Sequence, residues 1–468
     1  MSDFFSYENN MYRTLVSCNM LLKYQKQLAF CEVLIACLAI AISAQEAGQG
    51  NSSKLRTSIW LESGQIVNGR YFKLSADEPI QHQWIGHVFA DLTQEVSIQD
   101  RLTLYAGIEA QLGYDTSPLK TVDDVLNEPP IQQITFDLIQ AEGAYSIGNA
   151  DKPYCKLGIG LFPFKYNPDA RNLGEYLFRT GAYPGYIITT FDLPLARIAG
   201  LRLSSDYVPK LHQDLLITTM RKMRPFYDFT FSYLADYTMG SIFTIGAGAS
   251  FCNLVSVDKS QTTPDDWYKN KYKTSPADSG HYTFQGTKLM ARFSLDIKNL
   301  LPFRGIFGTE DLKLYGEGAV LGVENYPASD LFDSTNLINP YGYDDIAQKT
   351  PVMMGITIPA FKLLDVIAVE AEWYGCRYPD GYLQVLRNGL PLPDAPNTPG
   401  FTNNDYRKDD WKWSVYAKKE VVDGLSCIVQ CARDHTRLNT KLAKNIDYEE
   451  TLVKSNQWWW MAKVLYAF

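Results

Sequence analysis

The sequence predicts an all-β chain: a transmembrane antiparallel up-and-down β-barrel of about sixteen strands, within a range of fourteen to eighteen. Three observations lead there. Segments with a period of two recur over most of the chain. The composition is rich in aromatics yet moderately polar. The connectors between segments alternate between short and long.

A chain of 468 residues suits several soluble domains or one large barrel. Aromatics make up 13 %, including 30 Tyr, charged residues are 21 %, and mean hydropathy is −0.20. No apolar run beyond the N-terminal region reaches the ~20 residues of a membrane helix. A barrel whose inward half is polar accounts for both facts. Net charge is −8 and no basic stripe is present, which excludes nucleic acid as a partner class. Of eight cysteines, Cys18, Cys31 and Cys37 fall in a leader-like region, leaving Cys155, Cys252, Cys376, Cys427 and Cys431. An odd number without a CxxC pair argues against a complete disulfide framework or a metal site. Cys427 and Cys431 lie about 13 Å apart along a strand, beyond disulfide reach. These cysteines read as small apolar wall residues.

Residues 1–44 read as a signal peptide. Met20, followed by Leu-Leu-Lys-Tyr-Gln-Lys, is an alternative start; the apolar core runs from Val33 to Ile42, and cleavage is expected near Ala44. Leu34 to Cys37 resembles a lipoprotein box, but the apolar run continues past Cys37, which disfavours lipidation.

Strands are expected near 65–73, 82–94, 101–112, 132–145, 153–162, 195–205, 211–220 and 226–236. The second half adds 241–253, 284–297, 311–321, 351–359, 365–376, 410–419, 424–433 and 456–468. In the third, Leu102, Leu104, Ala106, Ile108, Ala110 and Leu112 oppose Arg101, Thr103, Tyr105, Glu109 and Gln111. In the tenth, Leu289, Ala291, Phe293 and Leu295 oppose Lys288, Arg292, Ser294 and Asp296. Leu312, Leu314 and Val320 oppose Lys313, Tyr315 and Glu317; Trp411, Trp413 and Val415 oppose Lys412, Ser414 and Tyr416. The last segment puts Trp458, Trp460, Ala462, Val464, Tyr466 and Phe468 on one face, against Gln457, Met461, Lys463 and Leu465.

That last segment resembles the closing strand of Gram-negative outer-membrane β-barrels, which ends in Phe with an aromatic two residues earlier. The resemblance implies an outer-membrane location, contact with outer-membrane lipid, and recognition of Tyr466 and Phe468 by the barrel-assembly machinery. The organisation that follows is a signal peptide over 1–44, a periplasmic N-terminal segment over 45–63, and a barrel over 64–468 with an inward-folded loop at 163–194. Counting back from a descending last strand, residues 434–455, 377–409, 322–350 and 254–283 become outer loops. Residues 420–423, 360–364, 237–240, 206–210, 146–152 and 95–100 become periplasmic turns. Only 298–310 is longer than a periplasmic turn should be.

Residues 163–194 become the third outer loop. By position and length it looks like the constriction loop of general and anion-selective porins, which are trimeric; the likeness implies a pore-narrowing loop and a homotrimer. Its charged residues Lys165, Asp169, Arg171, Glu175 and Arg179 are mixed in sign. Arg101, Glu109, Arg202, Lys288, Arg292, Lys313 and Glu317 are pore-wall candidates by parity. Charges at the narrowest ring set an electrostatic barrier and a size limit. Arg171, Glu175 and Arg179 either serve selectivity directly or pin the loop through salt bridges.

The sequence lacks G-x-S-x-G, H-E-x-x-H and a phosphate-cradling loop, and its five His are scattered. His87 has inward parity but no identifiable partner; Glu370 and Glu372 share a face and read as solvated wall. Neither catalysis nor a cofactor nor a metal is implied. The expected function is an outer-membrane porin, a passive channel for small hydrophilic solutes. Its rivals are a non-transporting surface or adhesion barrel, and a channel specific for sugars or hydrophobic compounds. Inward aromatics such as Tyr105, Tyr315, Tyr416 and Trp459 would line a sugar path.

Overall fold

Alternation of side chains makes the wall. Along Gly286–Asp296, Leu289 and Ala291 are exposed while Lys288, Met290 and Arg292 are buried, the signature of a strand with two unlike faces. A computed structural model describes residues 51–72, 77–115, 134–149, 152–183, 196–219, 229–254, 286–325, 346–374, 411–436 and 450–468.

The first eight strands are β1 (Ser52–Phe72), β2 (Asp77–Ile98), β3 (Leu102–Asp115), β4 (Ile134–Gly148), β5 (Pro153–Phe164), β6 (Ala196–Ser205), β7 (Leu211–Thr219) and β8 (Phe229–Met239). The remainder are β9 (Phe243–Cys252), β10 (Gly286–Asp296), β11 (Lys313–Asn325), β12 (Val352–Thr357), β13 (Val366–Trp373), β14 (Trp411–Val422), β15 (Leu425–Arg433) and β16 (Trp458–Ala467). Each pairs antiparallel with the next, and β16 closes on β1. A sixteen-strand closure leaves an interior too wide for wall side chains alone to fill.

The outward face is apolar. Ile59, Ile159, Ile245, Leu289, Met354 and Val464 are all exposed on it. Aromatics gather at both rims: Trp84 meets Trp460 edge-on at 5.6 Å near the long-loop end, and Trp413 lies 6.4 Å from Trp458. Tyr145, Tyr237 and Tyr466 are exposed near the short-turn end. The apolar faces do not meet across a dry interior; they point away from it.

The first strand is longer than expected. Residues 52–63, placed in a polar tail by the sequence, are wall paired to β2 and β16. Their inward side chains Lys54, Arg56, Ser58 and Glu62 give the segment its polar look, while Leu55, Ile59 and Leu61 alternate outward. Residues 1–50, which hold the expected signal peptide, the start of the expected periplasmic segment, Cys18, Cys31 and Cys37, lie outside the described residues, as do residues 184–194 of the expected inward loop, loop 377–409, Cys376 and most of 254–283 and 322–350.

The overlong connector holds two 3-10 turns, Ile297–Leu300 and Arg304–Ile306. Asp311 fastens it, accepting the backbone N–H groups of Gly308 at 2.8 Å, Ala360 at 3.1 Å and Phe361 at 3.2 Å.

One hairpin leaves the wall. Pairing of β4 with β5 ends at Ala141–Leu161, and pairing of β6 with β7 ends at Gly200–Thr218. Beyond those points β5 and β6 pair only with each other, from Leu161–Ala199 to Phe164–Ala196. Exposure stops alternating there: Leu161, Phe162, Ala196, Ile198 and Ala199 are all buried. Arg197 reaches Glu109 on β3 while its neighbours Ala196 and Ile198 pack with residues of the loop that joins β5 to β6. Both faces of the hairpin tip therefore meet lumenal groups, so the tip stands inside the barrel. Gly160 (φ +133°) and Gly200 (φ +154°), opposite each other, mark the departure, where a side chain would meet the neighbouring strands' carbonyls.

Candidate pore constriction

The inward hairpin delivers residues 165–183 into the lumen. Apolar packing holds one side: Tyr166, Leu173, Tyr176, Leu177 and Phe178 join Phe162 of the inward hairpin and wall residues Leu216, Leu234, Met290, Tyr315 and Met353 in one buried cluster. Removing several large side chains from water is worth roughly 1.5–3 kcal/mol each.

Two wall carboxylates hold the loop backbone. Glu317 on β11 accepts the Tyr166 hydroxyl at 2.5 Å, Asn167 Nδ2 at 2.9 Å, and the N–H groups of Glu175 at 3.1 Å and Tyr176 at 2.9 Å. Glu370 on β13 accepts the N–H groups of Arg171 at 2.5 Å, Asn172 at 2.9 Å and Leu173 at 2.9 Å, and the Tyr315 hydroxyl at 2.9 Å. Hydrogen bonds to a charged acceptor are the stronger kind, and here they satisfy loop N–H groups that have no strand partner. Lys288 Nζ completes the clamp, donating to the Leu177 carbonyl at 3.0 Å and to Thr180 Oγ1 at 3.1 Å.

Within the loop, Glu175 (φ +62°) accepts the Asn167 N–H at 2.5 Å, closing a turn. Burial, and then the nearby charge of Glu317, push its pKa up to about 8. Burial pulls Lys165 below its ordinary value; its Nζ donates to the Ala170 carbonyl at 2.6 Å. Burial also raises the hydroxyl pKa of Tyr166 and Tyr176, with Glu317 and Glu372 adding to it. Arg179 is buried and donates to the Asn172 carbonyl at 3.1 Å.

The loop's tip faces the short-turn end. Arg171 Nη2 meets Glu310 Oε2 at 2.8 Å, Lys313 Nζ meets the same oxygen at 3.0 Å, and Lys313 lies 3.5 Å from Asp169. Glu310 belongs to the overlong connector, which thus supplies the tip's counter-charge.

At the other end a buried network ties the loop to the last long connector. Tyr176 donates its hydroxyl to Glu372 at 2.9 Å, and His435 Nε2 lies 2.5 Å from the other Glu372 oxygen. His435 Nδ1 bonds Glu450, which Lys412 Nζ approaches at 3.3 Å. Burial lowers the His435 pKa, but Glu450 and Glu372 outweigh it and push it up to about 10. Asn172 Nδ2 also donates to Asp434 at 2.7 Å.

A different wall stays charged and partly open. Glu62 lies between His87 (2.9 Å) and Lys463 (2.8 Å), Glu109 meets Arg197 at 2.9 Å, and Arg202 meets Asp214 at 3.1 Å. Arg56, Arg202 and His212 retain appreciable exposure there. Arg292 pairs with Asp236 at 2.7 Å on the β8–β10 side.

Of the seven wall residues expected from parity, Glu109, Arg202, Lys288, Arg292, Lys313 and Glu317 face the interior. Arg101 does not: it is exposed in the β2–β3 turn, because β3 begins only at Leu102. Glu370 and Glu372 are buried rather than solvated, and His87 has its partner in Glu62. Sequence reasoning missed Glu310, Asp434, His435 and Glu450, each of which has a partner on a distant stretch of the chain: Arg171, Asn172, Glu372 and Lys412 respectively. Cys155, Cys252, Cys427 and Cys431 are free thiols.

No protein-family model matches the sequence, and no curated protein matches it. Solved structures with a similar fold include a Rhodopseudomonas blastica porin carrying three substitutions. It is 7 % identical, with a TM-score of 0.43, over 89 % of this chain and 100 % of that one. Another is Salmonella typhi OmpF in complex with daunomycin, 12 % identical, with a TM-score of 0.46, over 90 % of this chain and 98 % of the other. These likenesses are of fold alone.

Proposed function

We propose that the protein is a porin, a passive diffusion channel for small hydrophilic solutes across the outer membrane of a Gram-negative-type bacterium. The carrying observation is a lumen divided in two: a loop clamped by Glu317 and Glu370 against one wall, and a charged, partly exposed wall elsewhere. Solutes would pass between them, past Lys165, Asp169, Arg171 and Lys313 on one side and Glu62, Glu109 and Arg202 on the other. Such a passage needs neither cofactor nor energy source. Tyr466 and Phe468, exposed and stacked at 5.3 Å, would carry the signal read by the assembly machinery, and a homotrimer is the expected assembly.

The test is to replace residues 166–183 with a short Gly-Ser bridge and record single channels in planar bilayers. Conductance should rise clearly above wild type. An unchanged conductance removes the constriction role, and a wild-type barrel that folds but conducts no ions supports a surface or adhesion barrel instead.

A further inference from the structure

Where the β5–β6 hairpin turns inward, the wall is incomplete among the described residues. From Ile134 to Gln140, β4 has no partner on its β5 side among the described residues, and β7 has none on its β6 side beyond Thr218. The result is a notch of about 510 Å³ lined by Leu138, Ile159, Leu161, Leu201, Ile217 and Phe229 together with the glycine pair. Ile159, Leu201, Ile217 and Phe229 are exposed residues of the outward apolar face, so the notch opens on that face. No charged side chain lines it among the described residues.

We propose that this notch is a binding site for one acyl chain of a membrane phospholipid. The inference rests on the membrane-spanning reading of the barrel. Its size falls within the ~300–1,000 Å³ typical of small-molecule sites. Its lining has little to offer a polar solute, since burying an unpaired polar group is costly. It is continuous with the apolar band that lipid covers, so the chains beside it are at high local concentration. Two glycines permit the inward turn that forms it: a Cβ on Gly160 would stand 2.0 Å from the Ala141 carbonyl, and one on Gly200 2.2 Å from that of Ile217. A seated chain would fill the gap left in the wall and brace the inward hairpin from behind.

Photolabelling tests this on the full-length protein in bilayers. The probe is a phosphatidylethanolamine carrying a diazirine in its acyl chain, with the free diazirine fatty acid as a second arm and cross-links mapped by mass spectrometry. Peptides containing Leu138, Ile159 or Ile217 should be labelled several-fold more than those containing Ile245 or Val464 on the plain outward wall. Ala199→Trp, which fills the notch, should bring labelling down to the wall level while the β-sheet circular dichroism of the barrel stays that of wild type. Even labelling around the barrel, labelling absent at the notch, or capture of the free fatty acid alone overturns the proposal and leaves the membrane reading intact. Labelling nowhere on the outward face overturns the membrane reading as well.

Discussion

Glu370, a wall residue on β13, accepts the backbone N–H of Leu173 at 2.9 Å. With the Asn172 N–H on the same oxygen and Arg171 on the other, three consecutive loop amides converge on one carboxylate, as they would on a bound anion. The side chain thus serves as a built-in ligand that holds the loop, and Glu317 does the same from β11.

Removing either carboxylate leaves buried N–H groups unsatisfied, at roughly 1–3 kcal/mol for each. Glu370→Ala and Glu317→Ala should therefore free the loop while the barrel remains closed. Hydrogen exchange at residues 166–180 should accelerate, and single-channel current should become larger and noisier. Glu370→Gln, which keeps one acceptor oxygen, should fall between. Wild-type exchange in the alanine variants would refute the clamp.

Loop docking should weaken as pH rises. Glu175 has a pKa near 8 when docked, against about 4.3 for a free side chain. A group whose pKa is raised on docking favours the docked state fully below its free value and loses that contribution as pH rises through its docked value. Docking should therefore decline between about pH 4.5 and 8. Glu175→Gln should flatten this portion of the pH dependence, with loop exchange as the readout. His435, raised to about 10 between Glu372 and Glu450, should extend the same trend into stronger alkali, and His435→Asn should remove that upper part.

Glu310 should influence ion preference. It neutralises Arg171 and Lys313 at the loop tip, and its side chain retains moderate exposure. Glu310→Gln removes the carboxylate that the two cations share, while Asp169 stays 3.5 Å from Lys313. A ring of charge at a narrow point biases the passing ions, so the reversal potential across a KCl gradient should shift toward chloride. A potential identical to wild type would mean that the solute path does not pass the tip.

The barrel was legible because a strand's period-2 pattern survives in sequence: β10, β11, β14 and β16 are found within a few residues of their expected bounds. Residues 52–63 read as a polar tail because the polarity of their inward face masks the outward alternation of Leu55, Ile59 and Leu61. The loop's position could be read from connector lengths. Its fastening could not, since Glu317 lies 141 residues from Tyr176 and Glu370 197 residues from Leu173. Parity puts both acids inside but does not distinguish a solvated carboxylate from one that receives a backbone. The inward hairpin was hidden for a related reason: its alternation fails only over Leu161–Phe164 and Ala196–Ala199, too short a stretch to register.

That hairpin supplies the last prediction. Gly200 has φ +154°, and a Cβ there would meet the Ile217 carbonyl at 2.2 Å and Thr218 Cα at 2.7 Å. Backbone cannot yield as a flexible side chain can, so Gly200→Val must either move β6 away from β7 or change the angle at which the hairpin enters. Gly318→Ala is the control, because its Cβ finds only ordinary contacts at 3.7 Å. The valine variant should give less folded barrel and a lower urea midpoint than the control. In the fraction that folds, a hairpin forced back toward the wall would draw residues 165–183 with it and enlarge the conductance. Normal folding and conductance in Gly200→Val would show that the hairpin does not pivot at this glycine.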